Sequence, residues 1–199
     1  CGPGNSTSLL AHRYPHAQLL GIDSSPAMLA QARERLPQAR FELADAAAWL
    51  PAAAVDLVVA NAIYQWVPDH LKQLSRVFSA LQPGATLAVQ MPDNLAEPTH
   101  RLMREVAMAD LWSTPLAGAA RAPLPPARVY YEALKGKASR LELWRTTYHH
   151  PLRDAAAIVD FVRATGLRPF LEPLSEQERD RFLAIYTGKI AAAYPALAD

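Results

Sequence analysis

The sequence predicts an α/β protein with a mostly parallel sheet and helices on both faces, and three observations carry this. Short apolar runs alternate with stretches of helical periodicity from Gln18 to Met91. Val55-Asp56-Leu57-Val58-Val59-Ala60 is β-branched and nearly continuous in apolar character, which suits a strand buried on both faces. Finally, Cys1-Gly2-Pro3-Gly4-Asn5-Ser6-Thr7 has the form of a tight turn that opens a helix, and such alternation is most economically closed as a parallel sheet.

Each element has a local reason. Asn5 and Ser6 are the expected caps of a first helix running through Leu9 and Leu10 to about Arg13. Gln18-Leu19-Leu20-Gly21-Ile22 reads as a strand ending at Asp23, after which Ser25 caps and Pro26 starts a helix with Met28, Leu29, Ala32 and Leu36 on one face. Phe41 and Leu43 alternate with polar neighbours and lead to Asp45, as a strand would. Asp69 is placed to cap a helix whose Leu71, Leu74, Val77, Phe78 and Leu81 fall at steps of three and four, and Gln82-Pro83-Gly84 stops it before a strand over 85–91.

From Pro92 the rhythm changes, which divides the chain into a core over 1–91 and a mainly helical stretch over 92–199 that is expected to be continuous with the same domain. Glu97-Pro98 opens a helix expected to reach Trp112, followed by a proline-rich loop over 113–128 and a short helix from Tyr130 to Lys135. Leu141, Leu143 and Arg145 alternate with Glu142, Trp144 and Thr146, which predicts a strand over 141–148. Ile158, Phe161, Val162 and Thr165 mark a helix closed by Gly166, and Ser175 with Glu178 forms a capping box for a last helix with Phe182, Tyr186, Ile190 and Ala193 inward.

Composition narrows the function. The 199 residues carry 20 basic and 19 acidic side chains, a net charge of +1, so nothing in the bulk charge points to nucleic acid or an anionic membrane as partner. One cysteine fits a reducing compartment, and the absence of a long apolar run points to a cytoplasmic protein. The chain starts at Cys1, inside the turn, with no strand to deliver it there, and so reads as a fragment of a longer parent.

The chemistry is expected at the carboxyl ends of the strands, where open α/β sheets bind ligands. Asp23 stands 21 residues beyond Gly2, where an acid accepts hydrogen bonds from a ribose diol, and Asp45 repeats the placement one strand later, beside an adenine. Nicotinamide dinucleotides and S-adenosylmethionine both use such a constellation. Thr7 occupies the place of the third glycine of a dinucleotide loop, which counts against a nicotinamide oxidoreductase, and the Tyr131/Lys135 spacing is read as chance.

Several segments resemble one family: the opening turn, Gly21-Ile22-Asp23-Ser24-Ser25-Pro26-Ala27-Met28, Gln65-Trp66-Val67-Pro68-Asp69-His70, Gln90-Met91-Pro92-Asp93-Asn94, Leu102-Met103-Arg104-Glu105-Val106-Ala107 and Trp144-Arg145-Thr146-Thr147-Tyr148. The chain is similar to trans-aconitate methyltransferases of the class I, S-adenosylmethionine-dependent group, most weakly over 46–54 and the proline-rich stretch. The resemblance implies a Rossmann-like sheet whose first strand and closing strands are missing here. It also implies methyl transfer to a carboxylate of trans-aconitate. By position it places the cofactor on Gly2, Gly4, Asp23, Asp45, Ala46 and Asn61; Ser24, next to Asp23, is taken as a further cofactor-binding residue, and Gln65 and Trp66, after the fourth strand, as positioning residues.

An acceptor with three negative charges must be met by cations, and guanidinium forks suit carboxylates. Arg145 is the first candidate, with Tyr148, His149 and Arg128 beside it in sequence. A metal site is not expected, because His149 and His150 are adjacent and would point to opposite faces of a strand. The alternatives are another small carboxylate or small molecule as acceptor, and a fragment with little activity. A nucleic-acid base methyltransferase is disfavoured, since Asn61-Ala62-Ile63-Tyr64 replaces the Asn-Pro-Pro-aromatic segment it would want.

Overall fold

The computed structural model describes residues 1–52 and 55–195. Positions 53, 54 and 196–199, which end the weakly matching 46–54 stretch and the 92–199 segment, lie outside the described residues. The chain forms two compact units, Cys1–Pro92 with Leu124–Leu143, and Asp93–Pro123 with Trp144–Asp199. The 124–143 stretch thus packs with the first unit and not with the rest of the segment that follows Pro92.

In the first unit, β1 (Leu20–Asp23) pairs in parallel with β2 (Arg40–Leu43), and β3 (Leu57–Asn61) pairs in parallel with β4 (Thr86–Gln90). These are two separate two-stranded sheets, with β1 and β3 each bonded to a single neighbour. Every pairing is parallel, as the α/β reading requires. Val59 is 41% exposed while Val58 and Ala60 are buried, so β3 is covered on one face and not on both as its composition suggested.

Each sheet carries its own apolar cluster. Leu29 and Ala32 of α2 (Pro26–Arg35), with Leu36, pack on Phe41 of β2. A side chain at Gly21 would meet the Phe41 ring at 2.7 Å, so the ring lies across β1 only because that position has none. Ala60, Tyr64, Val67, Leu74 and Tyr130 form the second cluster, joining β3 to α3 (His70–Ser79) and α5 (Ala127–Leu134).

Local chemistry sets the helix starts. Ser25 accepts from the Met28 amide at 3.4 Å, with Pro26 in the first position, as expected. The start of α1 (Asn5–Arg13) is different: Gly4 stands at the N-cap with φ 85, and neither Asn5 nor Ser6 caps. Asp69 does precede α3, but at φ 50 its side chain makes no bond to the helix amides, and its carbonyl accepts from the Lys72 amide at 2.8 Å.

The second unit is helical. Leu102, Met103 and Val106 of α4 (Pro98–Ala107) and Val159 and Val162 of α6 (Ala155–Arg163) lie in one buried apolar cluster. Phe170 of α7 (Arg168–Leu171) and Phe182, Tyr186 and Ile190 of α8 (Glu176–Ala193) complete the core. Two expectations are corrected. Helix α4 ends at Ala107, five residues before Trp112, whose indole N–H instead bonds the Val106 carbonyl at 2.9 Å and closes the turn. The 141–148 stretch is not a strand: no partner strand borders it among the described residues, and Trp144 and Tyr148 are 82% and 73% exposed. Phe161 of α6 is 54% exposed, with its ring centroid 4.9 Å from that of His150.

The capping box of α8 is formed as its sequence dictates, and Glu178 also accepts from the Ser113 amide at 2.8 Å. These bonds, Ser113 first and Ser175 next, hold the Glu178 carboxyl down to about 2. Replacing Ser175 with Ala should cost about 1 kcal/mol of stability, read as a lower urea midpoint with an unchanged slope.

His100 of α4 is tightly enclosed. A side chain at Gly166 would approach its Nε2 within 2.9 Å, and burial, followed by the charges of Arg121 and Arg104, pushes the imidazole down to about 4. The unfolded chain binds this proton near pH 6.5 while the folded chain does not, so stability is full above that pH and is lost as pH falls toward 4. The loss should be on the order of 2 kcal/mol, allowing for partial solvent access to the ring. Denaturation midpoints across that window should fall steeply for the parent and nearly flatten for His100→Gln.

Candidate cofactor and acceptor sites

The glycine loop and the end of β1 are held together by one carboxylate. Asp23 Oδ2 accepts from the Gly2 amide at 2.8 Å and from the amino-terminal ammonium at 3.2 Å, while Oδ1 accepts from the Ser25 amide at 2.9 Å. Partial burial opposes the charge on Asp23, but the bonds from Ser25 and Gly2 together with the ammonium outweigh it, and the carboxyl lies below its ordinary value. A carboxylate has about four acceptor positions, more than the Gly2 and Ser25 amides use, so acceptor capacity remains for a ligand.

The two glycines act differently. Gly2 takes φ 55, and no atom lies within 4 Å of where a side chain would begin, which leaves its face open. Gly4 takes φ 85, and a side chain there would sit 3.2 Å from the Ala32 backbone, so this residue lets α1 and α2 approach. Thr7 is buried in the first turns of α1.

Asn61 ends β3, and its Nδ2 reaches Ser6 Oγ at 3.5 Å, a long contact that brings the end of β3 to the start of α1. Gly2, Gly4, Asp23 and Asn61 are thus linked by contacts within one unit. Ala46 packs against the Tyr64 cluster. Asp45 is exposed and accepts from the Ala47 amide at 2.9 Å, forming its own turn, and Ser24 is exposed.

Beyond Asn61 the chain makes a turn that carries no glycine. Ala62 at φ 54 and Asp69 at φ 50 bracket it, both in the left-handed region that non-glycine residues seldom occupy. Gln65 is buried, and its Nε2 donates to the Ala62 carbonyl at 2.8 Å, while its Oε1 has no partner among the described residues. Trp66 is 46% exposed beside it.

The acceptor candidates fall into both units. Arg128, in the first, pairs with Glu132 at 2.7 Å. Arg145, Tyr148 and His149 lie in the second, where Arg145 pairs with Asp93 at 2.6 Å and Tyr148 stacks on His150. All four are exposed. No helix among the described residues is long and apolar enough to cross a membrane.

Comparison with known proteins agrees with this geometry. A family model described as a methyltransferase domain matches residues 1–84. Among solved structures, that of the [4+2]-cyclase SpnF superposes with a TM-score of 0.53 at 17% identity, over 96% of this chain and 66% of that one, a likeness of fold alone. The fold is therefore that of a class I methyltransferase.

The nearer relatives are more specific. The trans-aconitate 2-methyltransferase of Rhodopseudomonas palustris is 57% identical over 201 residues, covering 100% of this chain and 78% of the relative. Those of Methylobacterium radiotolerans and Variovorax paradoxus are 56% and 54% identical with the same coverage. The chain belongs to the trans-aconitate 2-methyltransferase family.

Gly4→Ala should test how the loop is built. It adds a side chain at a left-handed residue already crowded by Ala32, so a loss of about 1–3 kcal/mol is expected by chemical denaturation. Gly2→Ala should cost less stability, since its surroundings are open.

Proposed function

We propose that the chain transfers the methyl group of S-adenosylmethionine to one carboxylate of trans-aconitate, forming a methyl ester. The observation that carries this reading is 57% identity, across the whole chain, to a protein named for that reaction. The residues present fit the cofactor: an open glycine face at Gly2, a carboxylate on Asp23 with acceptor capacity left, and an amide side chain on Asn61 nearby. Ser24, Asp45 and Ala46 would complete the nucleoside side. When bound, S-adenosylmethionine supplies an electrophilic methyl on sulfur.

The chain's own work is then positioning. A carboxylate of pKa near ~4 is already ionised at neutral pH, so no side chain must remove a proton from it. Alignment of the reacting pair can supply roughly 7–11 kcal/mol of barrier lowering. Gln65 fixes the turn after β3 through the Ala62 carbonyl, and Trp66 offers an exposed ring beside it, which supports their role as positioning residues. Arg145 would exchange the Asp93 carboxylate for one on the substrate, a swap between like partners, with Tyr148, His149 and Arg128 as further polar groups. The single cysteine suits a cytosolic setting, and the 93–123 and 144–199 unit is read as the acceptor-binding part.

Incubation of the chain with both reactants should yield a monomethyl ester by mass spectrometry; no ester from trans-aconitate, with cofactor binding intact, would exclude it as the acceptor. Asp23→Ala should weaken S-adenosylmethionine binding on the order of tenfold to a hundredfold by calorimetry, since each bond to an ionised partner is worth about 1.5–3 kcal/mol. Equal affinity in the variant would remove Asp23 from the ribose. Arg145→Ala should lower kcat/KM for trans-aconitate by about tenfold, a moderate effect because the guanidinium is 75% exposed. Its cofactor affinity should be unchanged.

A further inference from the structure

We propose that the hydrogen-bonded pair His70 and Tyr130 positions the acceptor side of the site: it pins the first turn of α5, which carries Arg128, to the turn after β3, which carries Gln65 and Trp66. This rests on the acceptor reading given above and gives a role to two residues that neither the glycine loop nor the charged candidates include.

The pair joins segments that are distant in the chain but lie in one unit. His70 opens α3 directly after the Ala62–Asp69 turn, and Tyr130 lies on α5, which the chain reaches after leaving this unit at Asp93 and returning at Leu124. His70 Nε2 and the Tyr130 hydroxyl are 2.6 Å apart, and the two rings stack with centroids at 5.7 Å. Tyr130 shares one buried apolar cluster with Tyr64 and Val67, the residues on either side of Gln65 and Trp66.

The direction of the bond follows from the other partner of the imidazole. Burial holds His70 below its ordinary value, against the bond to the Val67 backbone and the Asp69 charge, so at neutral pH the ring is uncharged and has a single N–H. A carbonyl only accepts, so that N–H goes to Val67 and the bare Nε2 accepts from the Tyr130 hydroxyl. The imidazole thus ties the end of the turn to α5. The Val67 amide in its turn donates to the Tyr64 carbonyl at 3.1 Å, which closes the 3-10 turn Tyr64–Trp66. Arg128 stands two positions before Tyr130 in the same helical turn. Just past the other end of α5, Lys137 donates to Ser75 and Ser79 of α3 at 2.6 and 2.8 Å. Those bonds are exposed and compete with water, while the bond of His70 to Tyr130 is partly buried, so the latter sets where α5 lies beside Trp66.

Tyr130→Phe keeps the packed ring and removes only the hydroxyl. The pin itself is read in the intact chain with neither reactant present, from 15N-labelled histidine and from 5-fluorotryptophan, with the Trp66 signal identified by its loss in Trp66→Phe. In the parent, Nε2 of His70 should resonate as an unprotonated nitrogen and Nδ1 as a protonated one. Tyr130→Phe and His70→Leu should both displace the Trp66 fluorine signal and leave those of Trp112 and Trp144 in place. Each should lower kcat/KM for trans-aconitate about tenfold while the affinity for S-adenosylmethionine stays within about twofold. His70→Gln, whose side-chain oxygen can accept from the phenol, should recover part of that loss. An unmoved Trp66 signal in both variants, or a protonated Nε2 in the parent, would overturn the pin. A displaced signal with kcat/KM intact and only a lower urea midpoint would overturn the positioning role and leave the proposed reaction standing. A parent that binds the cofactor and forms no ester of trans-aconitate would overturn the acceptor reading; a displaced Trp66 signal would then still support the pin. Should a His70 variant fail to fold, Tyr130→Phe decides alone.

Discussion

The amino-terminal half depends on the two backbone N–H groups, from Gly2 and Ser25, that converge on Asp23. A charged acceptor at the end of β1 therefore fixes the path of the loop on one side and the entry to α2 on the other. Gly4 can then turn through its left-handed conformation, and α1 settles against Ala32. The same carboxylate that would orient a ribose is thus part of the scaffold, and its local structural and ligand-binding roles are not separable by deletion alone.

The elements that the sequence made legible are those with a local cause. Ser25 with Pro26, and Ser175 with Glu178, use side chains within four residues to satisfy helix amides, and both caps stand as expected. What escaped has a non-local cause. Val59 has the composition of a covered strand, yet coverage depends on which elements lie over each face of β3. The alternation over 141–148 suits a strand, but a strand requires a neighbour, and none borders it among the described residues. Asp69 sits where a cap belongs and fails to cap because the chain arrives with φ 50, a conformation set by the preceding turn.

The same distinction runs through the candidate sites. Gly2, Gly4 and Asp23 announce themselves by spacing, because a loop, a strand end and a helix start must follow one another in order. The acceptor side offers no such rule. Arg145 drew attention by its neighbours in sequence, and its guanidinium proves to be paired with Asp93.

The turn between Ala62 and Asp69 is wound at both ends. Each of these residues holds a left-handed backbone at a cost of about 1–2 kcal/mol, and the restraint comes from the burial of Tyr64 and Val67 and from the Gln65 amide. Such a segment behaves as a catch under tension: the anchors that hold it also set how readily it lets go. Evolution could tune the lifetime of that catch by trimming Tyr64 or Val67, without altering a residue assigned to contact the cofactor.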